Sequence, residues 1–385
     1  MKVFSLLEKV NLFILVYFIL LCLINSIANA EEVPDGQIAY LSGEDVDTLH
    51  VHILDLQSKT EKTISKASHH GAPVWSPDGK SIAFSAKTDK GLSIFIHNYE
   101  TDECHALNHQ YSWNDNPSWS ANGKCIAYTS CEKGLVDQKV AVYELENNKE
   151  EFWGGEKVSS ILTPVWFPKL DILNAMNATV SQVTYTEGFD IHKFFDEGYS
   201  TGVLIGVAVF PLESKRLTTE LVIFSKSQAT PLPKELMLES TRFEELNPQV
   251  SPKGSSLVFE TNESGDREIY YLGRKGISNI SNHHSADWNP VWSPSGEWVA
   301  FESFRHGRRG IYRVFPETAR VFPFVVSADF DCWNPTWSPN SEWICFVSNQ
   351  TGTPQLYLKN ITGEKIIPLT NSAVNLAPNW RPKAK

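Results

Sequence analysis

Pro73-Val74-Trp75-Ser76-Pro77-Asp78-Gly79, followed by Ile82-Ala83-Phe84, is the stretch on which the fold turns. Pro77 presets φ and Gly79 accepts positive φ, so Ser-Pro-Asp-Gly reads as a tight turn. The turn joins a short strand ending at Trp75 to a second strand of β-branched and aromatic residues. The same phrase recurs down the chain. Copies stand at Asn116-Pro117-Ser118-Trp119-Ser120, Asn289-Pro290-Val291-Trp292-Ser293-Pro294 and Asn334-Pro335-Thr336-Trp337-Ser338-Pro339. Degenerate copies begin at Pro164 and Pro248, and a last one, Pro378-Asn379-Trp380, stands close to Lys385.

The leading prolines lie at 73, 117, 164, 248, 290, 335 and 378, at intervals of 44, 47, 84, 42, 45 and 43. A period in the low forties, with several short strands per unit, is the signature of propeller blades. In each unit the Pro-x-Trp segment is strand a. Strand b follows as Ile126-Ala127-Tyr128, Val299-Ala300-Phe301 or Ile344-Cys345-Phe346, strand c as Ile311-Tyr312 or Leu356-Tyr357-Leu358, and a short strand d completes the unit. The expected fold is all-β: a single propeller of four-stranded blades, seven preferred, with eight left open by the double interval. There, Val203 to Phe210, Glu220 to Ser225 and Glu235 to Glu239 read as strands b, c and d, and residues 169–202 as an insertion or a degenerate blade.

The two ends of the chain complement each other. Ile38-Ala39-Tyr40-Leu41 reads as a strand b with no strand a before it, and the segment at Trp380 as a strand a with nothing after it. One blade built from both termini closes the ring and removes exposed sheet edges.

Upstream, Leu12 to Ile24 is an uninterrupted apolar run, followed by Ala28-Asn29-Ala30. A short apolar core and a small-x-small site read as a signal peptide over residues 1–30, leaving 31–385 as the propeller. The run is short for a bilayer span of about 20 residues, the alternative being an uncleaved anchor. The expected location is therefore periplasmic or secreted, with no stable membrane span after cleavage. Export permits disulfides. The five cysteines after residue 30 (Cys104, Cys125, Cys131, Cys332 and Cys345) are odd in number, match no zinc spacing, and read equally as small buried hydrophobes.

The net charge of −11 and the lack of a basic block argue against a nucleic-acid partner. Asn177, Asn262, Asn279, Asn349 and Asn360 head Asn-x-Ser/Thr sequons, meaningful only in a eukaryotic secretory host. Gly198-Tyr199-Ser200-Thr201-Gly202 fits the nucleophile-elbow spacing, but the segment after it reads as a strand where a helix is required. No catalytic constellation and no cofactor are expected.

The units resemble the TolB-like, or PD40 (WD40-like), repeat, whose pattern Pro-x-Trp-Ser-Pro-Asp-Gly then Ile-Ala-Phe is nearly complete at Pro73 to Phe84. The resemblance covers essentially all of residues 31–385. It implies a propeller fold and, in TolB itself, a periplasmic protein that engages a peptidoglycan-associated lipoprotein. TolB carries an α/β domain before its propeller. Here the propeller follows the signal almost immediately, so that partner is not carried over. Similar blades occur in serine hydrolases, which need a further domain, and in oligogalacturonate lyases, which hold a metal on histidines. Propellers host unrelated activities, so function must be sought in the site.

Two residue sets stand out. His69-His70 and His283-His284 precede a blade's first strand; brought together, they would be candidate metal ligands, though their spacing to the following proline differs. More regular are Trp113 and Asn116, Asp287-Trp288-Asn289, and Asp331 with Trp333-Asn334, all just before a blade proline. At the channel mouth, Asn and Asp would hydrogen-bond a peptide or sugar and Trp would stack on it. The competing explanation is architectural: Asn before Pro serves the turn, and Trp packs between blades. The expected function is non-catalytic binding of an envelope or secreted protein or peptide at the channel mouth. The alternatives are a metal-dependent polysaccharide lyase and a scaffold subunit of an envelope complex.

Overall fold

The computed structural model describes residues 33–65, 71–132, 138–154, 160–167, 203–211, 217–224, 229–231, 244–273 and 275–383. Every regular element among them is a strand. The strands form seven four-stranded antiparallel sheets, two of which touch through the single parallel pair Leu92↔Trp113.

Blade 1 combines Val374–Trp380 with Gln37–Gly43, His50–Asp55 and Glu61–Thr63. Residues from the two ends of the chain thus share one sheet, Ile38 facing Trp380 and Leu41 facing Leu376. Blade 2 runs from Val74–Trp75 to Cys104–Ala106, blade 3 from Trp113–Trp119 to Lys149–Trp153, and blade 4 from Ser160–Phe167 to Ala229–Pro231. Blade 5 runs from Glu245–Val250 to Gly276–Asn279, blade 6 from Asp287–Trp292 to Arg320–Val325, and blade 7 from Cys332–Trp337 to Ile366–Pro368. Strand a of blade 1 packs on blade 7 on one side and on strand a of blade 2 on the other, so the ring closes.

The double interval resolves into one blade among the described residues. Its strand d is Ala229–Pro231, earlier than the expected 235–239, because the hairpin after Leu217–Phe224 turns back at once. Residues 1–30, expected to be a signal peptide, and residues 169–202, expected to be an insertion or a degenerate blade, lie outside the described residues. No helix among the described residues is long and apolar enough to cross a membrane.

The repeated phrase has a physical reason at each position. The Trp side chain bridges neighbouring blades: Trp75 Nε1–H donates to Asn379 C=O (3.1 Å), Trp119 to Val74 (3.1 Å), Trp292 to Gln249 (3.0 Å) and Trp337 to Val291 (3.1 Å). Each acceptor immediately follows the proline of the preceding blade. In the turn, Ser76 Oγ donates to Asp78 Oδ1 (2.6 Å) and accepts Ser81 N–H (2.9 Å), with Gly79 at φ +70°. The aromatic residues of strand b (Tyr40, Phe84, Tyr128, Phe259, Phe301 and Phe346) are fully buried and fill the sheet centres. Each buried ring of this size contributes on the order of 2–3 kcal/mol.

The five cysteines after residue 30 all lie among the described residues. Cys104 is exposed and the other four are buried. Burial pushes the Cys125 thiol up to about 11 and Cys332 up to about 12, so these sulfurs act as unreactive packing atoms.

Candidate functional site

In six of the seven blades, all but blade 2, the residue before the blade proline is held in the left-handed region. Asn116 has φ +55°, Thr163 +42°, Asn247 +47°, Asn289 +54°, Asn334 +48° and Ala377 +50°. This residue and its proline together face one residue of strand b. At blade 6 the register passes from Trp288↔Glu302 to Val291↔Ala300, leaving Asn289 and Pro290 opposite Phe301. The same bulge recurs in blades 1, 3, 4, 5 and 7. Asn recurs because it tolerates positive φ better than other side-chain-bearing residues, and Pro because the bulge asks no ladder hydrogen bond of it.

The side chains of these asparagines differ in use. Asn116 is exposed, and its Nδ2 lies 3.5 Å from Thr129 Oγ1. Asn289 is fully engaged: its backbone N–H donates to Glu260 Oε1 (2.7 Å) and its Nδ2 to Glu302 Oε1 (2.6 Å). Asn334 N–H donates to the same Glu302 oxygen (2.8 Å).

Glu260 and Glu302 are an addition that the tertiary structure supplies. Both occupy the same place in strand b of adjacent blades, and both are fully buried. Glu260 also accepts Asn247 Nδ2 (2.7 Å) and Arg267 Nη1 (3.4 Å). Glu302 also accepts Arg309 Nε. Burial raises both carboxyls above the usual range, against the lowering effect of these donors. Their sequence signal was an acid directly after the buried aromatic, in Val258-Phe259-Glu260 and Ala300-Phe301-Glu302.

Asp287 is committed to the fold. It is fully buried, Arg305 Nη2 donates to its Oδ2 (2.6 Å), and burial raises its carboxyl. Arg305 also stacks on Phe301 and Tyr312, at 5.3 and 4.9 Å from the ring centroids. The carboxylate therefore joins strand a to the strand b–c turn of its own blade rather than facing solvent.

Trp288 and Trp333 come together around one cation. The Arg309 guanidinium carbon lies 5.5 Å from the Trp288 ring and 5.6 Å from the Trp333 ring, while its Nε is tied to Glu302. Phe304 packs on Trp288 (5.1 Å between centroids) and is 44% exposed. Asp331 Oδ2 accepts Arg308 Nη1 (3.2 Å), and its Oδ1 accepts Arg309 N–H (3.1 Å). Because antiparallel strands alternate direction, the start of strand a and the b–c turn lie at the same end of a blade. Trp288, Trp333, Phe304 and Arg309 therefore share one end of blades 6 and 7. In blade 3 the corresponding position is Asp115; Trp113 stands two residues earlier, half-buried and facing Cys131 across the ladder, and is not brought to the place of Trp288 and Trp333.

Asn116 belongs to a different cavity, of about 440 Å³, whose lining also includes Thr163, Pro164, Gln249 and Asn379. These come from strand a of blades 3, 4, 5 and 1, so strand a is innermost and the cavity is the central channel. A second cavity of about 680 Å³, lined by Tyr271, Trp292, Phe315 and Glu317 among others, lies between blades 5 and 6 at the opposite end from Trp288.

His283 and His284 stack on each other, with ring centroids 4.1 Å apart, and His283 Nδ1 accepts Ser285 N–H (3.1 Å). His69 and His70 lie outside the described residues. Among the described residues, no three His, Cys, Asp or Glu side chains cluster as metal ligands.

Comparison with known proteins agrees with this geometry. Residues 28–187 match the family described as the TolB beta propeller domain (PD40). The Tol-Pal system protein TolB of Alcanivorax borkumensis is 38% identical over 64 residues, 16% of this chain and 15% of that relative's length. Among solved structures, the β-propeller domain of the trilobed protease from Pyrococcus furiosus has a TM-score of 0.61 at 13% identity, covering 88% of this chain and 93% of that one. TolB from Acinetobacter baumannii has a TM-score of 0.53 at 16% identity, covering 90% and 67%. With the repeated phrase running to Trp380 and seven blades closing the ring among the described residues, the chain is a β-propeller, and its residues 28–187 match the TolB beta propeller (PD40) family.

Proposed function

We propose that this protein is a non-catalytic periplasmic or secreted propeller that binds a protein or peptide at its channel mouth, through the end of blades 6 and 7. The observation that carries the reading is the Trp288–Arg309–Trp333 stack with exposed Phe304 beside it. Large aromatic faces and a stacked arginine are the residue types that dominate protein-recognition hot spots. Glu302 holds Arg309 from beneath, so the cation is preorganised and loses little freedom on binding. The Tol-Pal name of the curated relative supports an envelope protein as the partner class.

In this reading Trp288, Trp333 and Arg309 supply contact. Asn289 and Asn334 shape the bulge that presents the two tryptophans, and Asp287 anchors the strand. Asn116 and Trp113 belong to a channel-side extension of the same surface.

The test is capture from native envelope extract with the intact protein as bait, beside Trp288→Ala/Trp333→Ala and a Lys253→Ala control at the other end of the blades. Specific capture by the wild type and the control, lost in the double variant with an unchanged circular dichroism spectrum, is expected. Equal capture by all three would reject the site. Stoichiometric metal in the purified protein, with unsaturated product from uronate oligomers, would replace binding by lyase chemistry.

A further inference from the structure

A second constellation lies in the groove between blades 6 and 7, away from the tryptophan–arginine stack. The strand c residue paired with the central strand b residue (Ala39, Ala83, Ala127, Ile205, Val258 and Cys345) is Ile53, Ile96, Val142, Ile223, Tyr271 and Leu358 in six blades. In blade 6 it is Arg313, paired with Ala300. The neighbouring strand c position is Leu54, His97, Tyr143, Phe224, Leu272 and Val314 elsewhere, but Lys359 in blade 7. Two positions that otherwise carry mostly apolar interblade packing thus carry cations in the one groove.

The Arg313 guanidinium carbon lies 4.8 Å from the Trp298 ring centroid and 5.0 Å from that of Phe324. Its Nε is buried without an acceptor, and no acid pairs with it among the described residues. Lys359 Nζ lies 5.0 Å from the same Phe324 ring and donates to Phe324 C=O (2.7 Å). Burial lowers the pKa of both groups, and the Arg313 charge lowers Lys359 further. Aromatic faces and one carbonyl return only part of the hydration these cations lose. Both side chains stay partly accessible, so an external anion can reach them.

We propose that this groove is an oxyanion site for a carboxylate carried on an apolar or aromatic body. Arg313 offers its planar fork to the two oxygens and Lys359 a second charge, while Trp298 and Phe324 flank the body. This reading is independent of the proposed binding surface, since it uses none of its residues.

The experiment is titration of the full chain with sodium benzoate, acetate or sulfate, with chloride holding ionic strength constant, read by calorimetry and by unfolding temperature. Benzoate is expected to bind saturably and more tightly than acetate or sulfate. Arg313→Met and Lys359→Met each weaken it about tenfold or more, and Arg320→Met leaves it unchanged. In chloride alone, Arg313→Met is expected to unfold no earlier than wild type, because an unneutralised buried cation is removed. Three results would overturn the proposal: no saturable binding of any of these anions across the millimolar range, benzoate binding unaltered in Arg313→Met, or sulfate binding as tightly as benzoate.

Discussion

Replacing Arg381 by Ala opens the ring at its one non-covalent seam. Blade 1 has no peptide link between its strand a and strand b, so the backbone ladder between them and the side chains that bridge it hold the closure. Arg381 Nε donates to Gly79 C=O in blade 2 (2.7 Å), and its Nη1 to Gln37 Oε1 in blade 1 (3.0 Å). Its guanidinium stacks on Tyr99 at 4.2 Å and Trp75 at 5.3 Å. Two hydrogen bonds from a charged donor contribute about 1.5 kcal/mol each at the low end of their range. The two ring contacts add roughly 0.5 kcal/mol each at a partly exposed site. Allowing for non-additivity, the expected loss is about 3 kcal/mol. Arg320, exposed and stacked only on Phe322 at 4.8 Å, is the matched control, with an expected loss of about 0.5 kcal/mol. The assay is urea unfolding combined with amide hydrogen exchange. Arg381→Ala should lower the first unfolding midpoint and speed exchange in Gln37–Gly43 and Val374–Trp380 before it does so in Asp287–Trp292. Arg381→Lys should recover less than half of the loss, since an ammonium cannot reach both acceptors while stacking. A midpoint equal to that of Arg320→Ala, or exchange rising evenly around the ring, would refute the latch.

Three further outcomes follow from the geometry. Ala377→Gly should stabilise the protein by about 1 kcal/mol in denaturant unfolding, because alanine sits at φ +50° where glycine carries no side-chain penalty. Glu302→Ala should destabilise by about 3 kcal/mol, since it strands the donors of Asn289, Asn334 and Arg309; Glu302→Gln, which keeps one acceptor oxygen, should cost less. Burial pushes Glu245 and Glu268 up to about 7 from 4.5, so their contribution to stability is full below pH 4.5 and lost as pH rises through 7. Unfolding midpoints should therefore fall across that window, and Glu245→Gln should flatten the fall.

The candidate site was legible in part. Trp288 and Trp333 stood out because each immediately precedes an Asn-Pro pair. The asparagines stood out for the same reason, yet the bulge gives them a backbone cause that a recurring letter does not reveal. Asp287 looked like a mouth carboxylate and is instead buried against Arg305, because residues along a strand alternate in direction and an extra bulge residue shifts that alternation. Glu260 and Glu302 were hidden inside apolar runs. Arg309 and its neighbours in Phe304-Arg305-His306-Gly307-Arg308-Arg309 carried no motif to mark them.

By itself the sequence determined the propeller, the proline that opens each marked blade and the closure of blade 1 by both termini, while leaving the choice between seven and eight blades open. Those depend on local turn chemistry, on strand propensity and on a repeat period, all written along the chain. The tertiary structure alone decided which side chains meet across blades: Arg309 between two tryptophans 45 residues apart in sequence, Arg313 beside Lys359, and Arg381 against Gly79. Such contacts depend on the direction each side chain takes from a bulged strand and on the depth of the groove between blades. Neither quantity is local, and neither repeats with the motif.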